Sequence, residues 1–188
     1  YEKLKEIFPN LGNLIPKHYI EIINNFFNSY SQILNFHIYR IYGNEDNRKS
    51  DLYGSTASWH NDGSTSESIK LFFMLSDINH VSDGPTSVLD IPQTKKIINS
   101  GKFEYPEKSF QTSELIKSSY QPRNIYGNKG TAFIVRTNQC LHRAVIPEKG
   151  HVRDLIVFYI TSSSINRSII DQLDSAKFEQ ILGVKRLL

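Results

Sequence analysis

The chain has 188 residues, with 22 Lys plus Arg against 19 Asp plus Glu, 39% apolar and 12% aromatic side chains, and a single cysteine. Such aromatic content excludes a disordered chain, and the length suits one domain able to bury about 70% of its unfolded surface without disulfides. A net charge of +3 is too small to imply a nucleic-acid partner, and Cys140 alone excludes a disulfide framework or a Cys-x-x-Cys pair, which favours a reducing compartment.

No run approaches the roughly 18 apolar residues of a membrane span, and the opening Tyr-Glu-Lys-Leu-Lys-Glu lacks a signal-peptide core. The expectation is a soluble, cytoplasmic protein that engages no membrane, for a chain beginning at Tyr1 rather than Met. Tyr19, Ile20, Ile22, Ile23, Phe26, Phe27, Tyr30, Ile33 and Leu34 fall close to helical spacing, which with Pro16 at the start predicts a helix over 17–34. β-Branched and aromatic runs predict strands at 36–42, 68–76, 86–91, 131–137 and 152–161. Turn chemistry at 42–46, 83–85 and 127–130 separates them, so a β-sandwich or jelly roll should occupy residues 36–162. Residues 93–123 are polar and poorly periodic and read as a long excursion of open role. Ser168 and Asp171 form a capping-box pattern ahead of Ile169, Ile170, Leu173, Phe178, Ile181 and Leu182, predicting a closing helix over 168–182. No internal repeat divides the chain, so 1–188 reads as a single domain.

The most informative segment is Ser58-Trp59-His60-Asn61-Asp62-Gly63. On an extended strand, residues two apart project from the same face, so His60 and Asp62 can share one target. An imidazole and a carboxylate supply two ligands of a non-haem iron site, which a second histidine completes. By itself His-x-Asp is weak evidence and more often an exposed turn than a metal site. Among the other histidines, His18, His37, His80 and His151 have no supporting neighbours, whereas His142 follows the 131–137 strand and precedes the apolar strand from Val152. Arg153, in phase with Leu155, Val157 and Tyr159, should point inward with them. A guanidinium there needs an anion, either a bound acid or a protein carboxylate such as Asp154, Asp77 or Asp90.

Trp59-His60-Asn61-Asp62, the strand Leu71–Asp77 with Asp83-Gly84-Pro85, and Gly130-Thr131 leading through His142 to Arg153 resemble the phytanoyl-CoA dioxygenase-like branch of the iron(II)- and 2-oxoglutarate-dependent oxygenases. The likeness covers roughly residues 36–162. It implies a double-stranded β-helix (cupin-like jelly roll) flanked by helices, with His60, Asp62 and His142 binding Fe(II). It also implies that Arg153 holds the distal carboxylate of 2-oxoglutarate, with Arg40, Tyr42 and Lys70 as further co-substrate contacts. The implied activity is a dioxygen-dependent hydroxylation of a small molecule with release of succinate and CO2. Asp62 supplies the carboxylate that related halogenases lack, so chlorination is not expected. Two departures stand out: Asp90-Ile-Pro-Gln-Thr94 replaces a Gly-Ser-His segment, and Ala144 replaces a hydroxyl that in many relatives reaches the co-substrate. Arg136, Arg143 and Lys149 around the distal histidine suggest an anionic substrate or simply a solvated basic surface. The competing readings are an inactive jelly-roll binding module and a cupin-type metalloenzyme that uses no 2-oxo acid.

Overall fold

The computed structural model describes residues 15–43, 57–63, 67–101, 120–175 and 177–182, with side chains described through residue 173. Helix α1 (Lys17–Phe27) buries Ile23 completely. It stops short of residue 34 because Asn28 turns into the left-handed region at φ 50°. There the Asn28 and Ser29 amides return to the Asn25 and Asn24 carbonyls, closing the helix end. The residues expected as its last turns instead open β1 (Tyr30–Tyr42).

The remaining elements follow in chain order as β2 (Ser68–Met74), β3 (Thr86–Val88), α2 (Ile91–Asn99), β4 (Arg123–Ile125), β5 (Ala132–Val135) and β6 (His142–Ala144). Beyond them lie β7 (Val152–Ser163), α3 (Ile169–Ser175) and β8 (Lys177–Leu182). They build a five-stranded sheet in the order β5-β2-β7-β1-β8 and a three-stranded sheet in the order β4-β3-β6. All pairings are antiparallel except that of β8 with β1. The expected jelly-roll architecture, mainly β with flanking helices, is thus present.

Strand alternation sorts the large sheet into two faces. Ile69, Leu71, Phe73, Ile156, Phe158 and Ile160 form one face and pack with Ile23 of α1 and Leu173 of α3. Phe72, Met74, Leu155 and Val157 form the other and pack with Val88 and Ile125 of the small sheet. Because both faces are covered, β2 reads as a nearly continuous apolar run. Ile33 donates its amide to buried Gln172 Oε1 at 3.0 Å, beside the bulge between Ile33 and Asn35.

Two further expectations are corrected. The strand expected to reach Ile91 ends at Val88, because Asp90 accepts the Gln93 amide at 2.8 Å and caps α2, so the polar excursion begins as a helix. Residues 102–119 of that excursion lie outside the described residues. The closing helix has its Ser168 cap, with the Asp171 amide 3.2 Å from Oγ, but ends at Ser175. The chain then pairs along the open edge of β1 as β8, where a strand's unpaired amides and carbonyls are satisfied.

Candidate active site

Two histidines far apart in sequence meet because their backbones pair. His60 donates its amide to the His142 carbonyl at 3.0 Å and accepts the His142 amide at 2.9 Å, so the two residues lie directly opposite. Side chains opposite one another share a face, and the two imidazole centroids are 4.3 Å apart. Asp62 is tied nearby through its amide to the Thr137 carbonyl at 3.1 Å. His142 Nε2 lies 3.8 Å from Asp62 Oδ1, and one ligand atom from each of the three residues falls within 4.8 Å of the others.

Each imidazole is oriented from behind. His60 Nδ1 is 2.8 Å from the Ser58 carbonyl and His142 Nδ1 is 3.0 Å from the Cys140 carbonyl. A carbonyl can only accept, so both Nδ1 atoms carry the proton and both Nε2 atoms keep a lone pair. Burial pushes both imidazoles below their ordinary pKa, and for His142 the neighbouring His60 adds to the effect. Burial alone would raise the Asp62 carboxyl, but the Lys70 ammonium, His142 and the Thr137 hydroxyl outweigh it and hold the group below its ordinary value. The set therefore offers two neutral nitrogens and one carboxylate, which fits a divalent transition ion of the non-haem iron kind. Lys70 Nζ lies 2.8 Å from both Asp62 oxygens and 4.3 Å from the Tyr159 ring centroid, so an ion would share the carboxylate with that ammonium.

Arg153 lies on the inner face of β7, in phase with Leu155, Val157 and Tyr159, and is 4% exposed. Its Nη2 donates to Thr86 Oγ1 at 2.6 Å, while Nε has no partner among the described residues. Burial pushes the guanidinium down to about 10, which leaves it charged at neutral pH. None of the carboxylates expected as alternative partners reaches it. Asp154 is held by Arg40 Nε and Nη2 at 2.9 and 2.8 Å, Asp77 accepts the Lys129 amide, and Asp90 caps α2. His60, His142, Lys70, Thr86 and Arg153 line one cavity with an apolar wall of Phe72, Leu155 and Val157.

The structure therefore brings His60, Asp62, His142, Arg153 and Lys70 together, but not Arg40 or Tyr42. Arg40 stands opposite Asp154 in the β1–β7 register and is spent on that ion pair, and Tyr42 is 54% exposed. Their alternate neighbours Tyr39 and Ile41 line the cavity instead. Trp59 is core, packed with Leu89, Ile97 and Leu141, and Arg143 lies over its ring at 5.4 Å. Of the basic residues around the distal histidine, Arg143 reaches the cavity, whereas Arg136 pairs with Glu67. Sequence reasoning missed Thr86 and Thr137. Neither sits in a recognisable spacing, although Thr86 directly follows the turn in which Gly84 takes φ 77° and a Cβ would lie 2.7 Å from the Val145 carbonyl. None of His18, His37, His80 or His151 joins the cluster, His151 lying instead 2.7 Å from Asp83.

No family model matches the chain, and no curated protein matches it. Among solved structures it is similar to SnoN, a non-heme alpha ketoglutarate dependent epimerase from nogalamycin biosynthesis, at 12% identity and a TM-score of 0.55, over 84% of this chain and 57% of that one. It is also similar to AviO1 from Streptomyces viridochromogenes Tue57, at 12% identity and a TM-score of 0.52, over 82% of this chain and 62% of that one. HygX from Streptomyces hygroscopicus with iron bound matches at 14% identity and a TM-score of 0.51, over 84% of this chain and 68% of that one. The chain thus spans about three fifths of the length of SnoN and AviO1. At these identities the likeness is one of fold, the cupin-like double-stranded β-helix. No helix among the described residues is long and apolar enough to cross a membrane.

Proposed function

We propose that this chain is an iron(II)- and 2-oxoglutarate-dependent oxygenase of the phytanoyl-CoA dioxygenase-like kind, which hydroxylates a small anionic molecule. The observation that carries the reading is a buried, charged Arg153 with no carboxylate partner among the described residues, in the same cavity as the His60–Asp62–His142 cluster. An unpaired buried charge is costly, and a carboxylate is the ligand a guanidinium fork matches best. The shared fold with SnoN and iron-bound HygX supports the reading as far as architecture goes.

In this reading His60, Asp62 and His142 hold the ferrous ion. With 2-oxoglutarate and dioxygen, that ion supplies oxidation of a substrate C–H bond while the co-substrate is converted to succinate and CO2. The Ser58 and Cys140 carbonyls keep both imidazoles in the ligating tautomer, and Thr137 and Lys70 keep Asp62 ionised. Arg153 orients the acid by its distal carboxylate, and Phe72, Leu155 and Val157 exclude water from its chain. Arg143 at the cavity wall gives an anionic substrate a counter-charge. Reconstituted with ferrous iron under air, the protein should turn 2-oxoglutarate into succinate, and His142→Ala should not. Binding of 2-oxoglutarate without succinate against a broad substrate panel would indicate a binding module. Oxidation indifferent to 2-oxoglutarate would indicate a cupin-type metalloenzyme.

A further inference from the structure

Strand β2 is apolar at every position from Ile69 to Met74 except one. Lys70 lies between buried Ile69 and Leu71 and is itself 7% exposed. An ammonium at that depth is tolerated only beside a counter-charge, because it has given up its water. The strand register supplies the counter-charge. Lys70 stands opposite Val135 of β5 and Tyr159 of β7, and two residues beyond Val135 the Thr137 carbonyl holds the Asp62 amide at 3.1 Å. That tie brings the Asp62 carboxylate to the ammonium, with Nζ 2.8 Å from both oxygens and 4.3 Å from the Tyr159 ring centroid.

Asp62 is the one anionic member of the His60–Asp62–His142 set, so it carries the charge attraction for a divalent ion. Wherever an ammonium holds the same two oxygens, that attraction is divided and the two cations repel each other across a short distance. We infer that Lys70 is a resident counter-cation that competes with the metal for Asp62 and thereby sets the affinity of the site. It keeps the carboxylate ionised and paired when no ion is bound, and it loosens the hold on an ion that binds, so the metal exchanges rather than stays locked in. The metal centre itself rests on the proposed oxygenase function. A residue that only oriented Asp62 could be neutral and would need one oxygen, leaving the other to the ion, whereas Lys70 covers both and brings a full charge. Partners that merely orient a ligating carboxylate strengthen metal binding, so the direction of the effect separates the two roles.

The test is calorimetric titration of the full chain with Mn²⁺ and with Co²⁺ at neutral pH, in the absence of 2-oxoglutarate. Lys70→Met, which keeps the length of the side chain and removes its charge, should bind both ions about tenfold more tightly than the wild type. Lys70→Gln, which keeps a hydrogen-bond donor without the charge, should tighten binding as well, and Lys70→Arg should stay within about threefold of the wild type. A gain in affinity is the informative direction, because a damaged site only loses it. Metal-free Lys70→Met should also melt about 5 °C or more below the wild type, since Asp62 is left buried without its counter-charge, and the deficit should narrow once Mn²⁺ is saturating. Should Lys70→Met not fold, Lys70→Gln carries the comparison with Lys70→Arg. Affinity within about threefold of the wild type, or weaker, in either neutral variant overturns the competition; weaker binding by Lys70→Met beside unchanged binding by Lys70→Gln would mark an orienting hydrogen bond instead. An arginine variant as tight as the neutral ones, or a metal-free melting temperature that does not fall, also overturns it. A wild-type protein that binds neither ion overturns the metal centre itself, whereas wild-type binding with indifferent variants overturns only the role of Lys70.

Discussion

The two sheets divide the work unequally. In the large sheet, β1 and β7 are 13 and 12 residues long, and the face toward α1 and α3 holds a large apolar cluster in which Phe36, Leu71 and Phe158 are fully buried, with the Arg40–Asp154 pair on the same face beyond it. In the small sheet every strand is three residues long, and its inner side carries His142 and Thr86. Short strands contribute few ladder bonds and little apolar area, so they hold their shape because the large sheet and α2 clamp them. The inner face of the large sheet is the meeting ground, where apolar Phe72, Leu155 and Val157 alternate in space with charged Lys70 and Arg153. Lys70 is met there by Asp62, and Arg153 by the Thr86 hydroxyl.

The largest effect expected from this division is on stability, away from the site. Phe158 is fully buried, 5.7 Å from the Phe36 ring and edge-on to Phe73 at 6.0 Å. Phe158→Ala should cost about 3–5 kcal/mol in urea unfolding while the folded protein keeps its metal affinity. A cost below about 1 kcal/mol would break the comparison. On the opposite face, Arg153→Met should abolish 2-oxoglutarate binding yet raise stability by about 1 kcal/mol or more, since a buried charge with no carboxylate among the described residues is replaced by an apolar chain of similar length. A lower melting temperature would show that the guanidinium serves the fold.

The smallest effect concerns α2, which lies over the small sheet. Asp90→Ala removes its cap and should cost about 1 kcal/mol at neutral pH. The Gln93 amide holds the Asp90 carboxyl below its ordinary 3.8. A depressed carboxyl contributes stability that is complete above its unfolded value and disappears as pH falls through the lowered one. The gap between wild type and variant should therefore close in acid, which urea melts at neutral pH and well below 3.8 would check.

Much of this was legible in the sequence because strand phase is local. The two-residue period put His60 with Asp62, and Arg153 with Leu155, Val157 and Tyr159, before any contact was known. Period alone does not say which face is inward, and β1 shows the consequence. Arg40 and Tyr42 alternate with Tyr39 and Ile41, and it is pairing with β7, setting Arg40 opposite Asp154, that sends the latter pair to the cavity. The same limit explains the helix ends: the apolar spacing of 30–34 and 178–182 suits helix or strand, and the free edges of β7 and β1 decided for strand.

By itself, then, the sequence determined which chemical groups exist and their phase along each strand, because both follow from covalent order. Only the tertiary structure decided that His60 and His142 pair backbones, that Asp154 pairs with Arg40 while Arg153 meets Thr86 and no carboxylate among the described residues, and that Thr86 stands across from Ala144. These are matters of register between strands distant in the chain, set by which pairing buries the most apolar surface while satisfying the backbone.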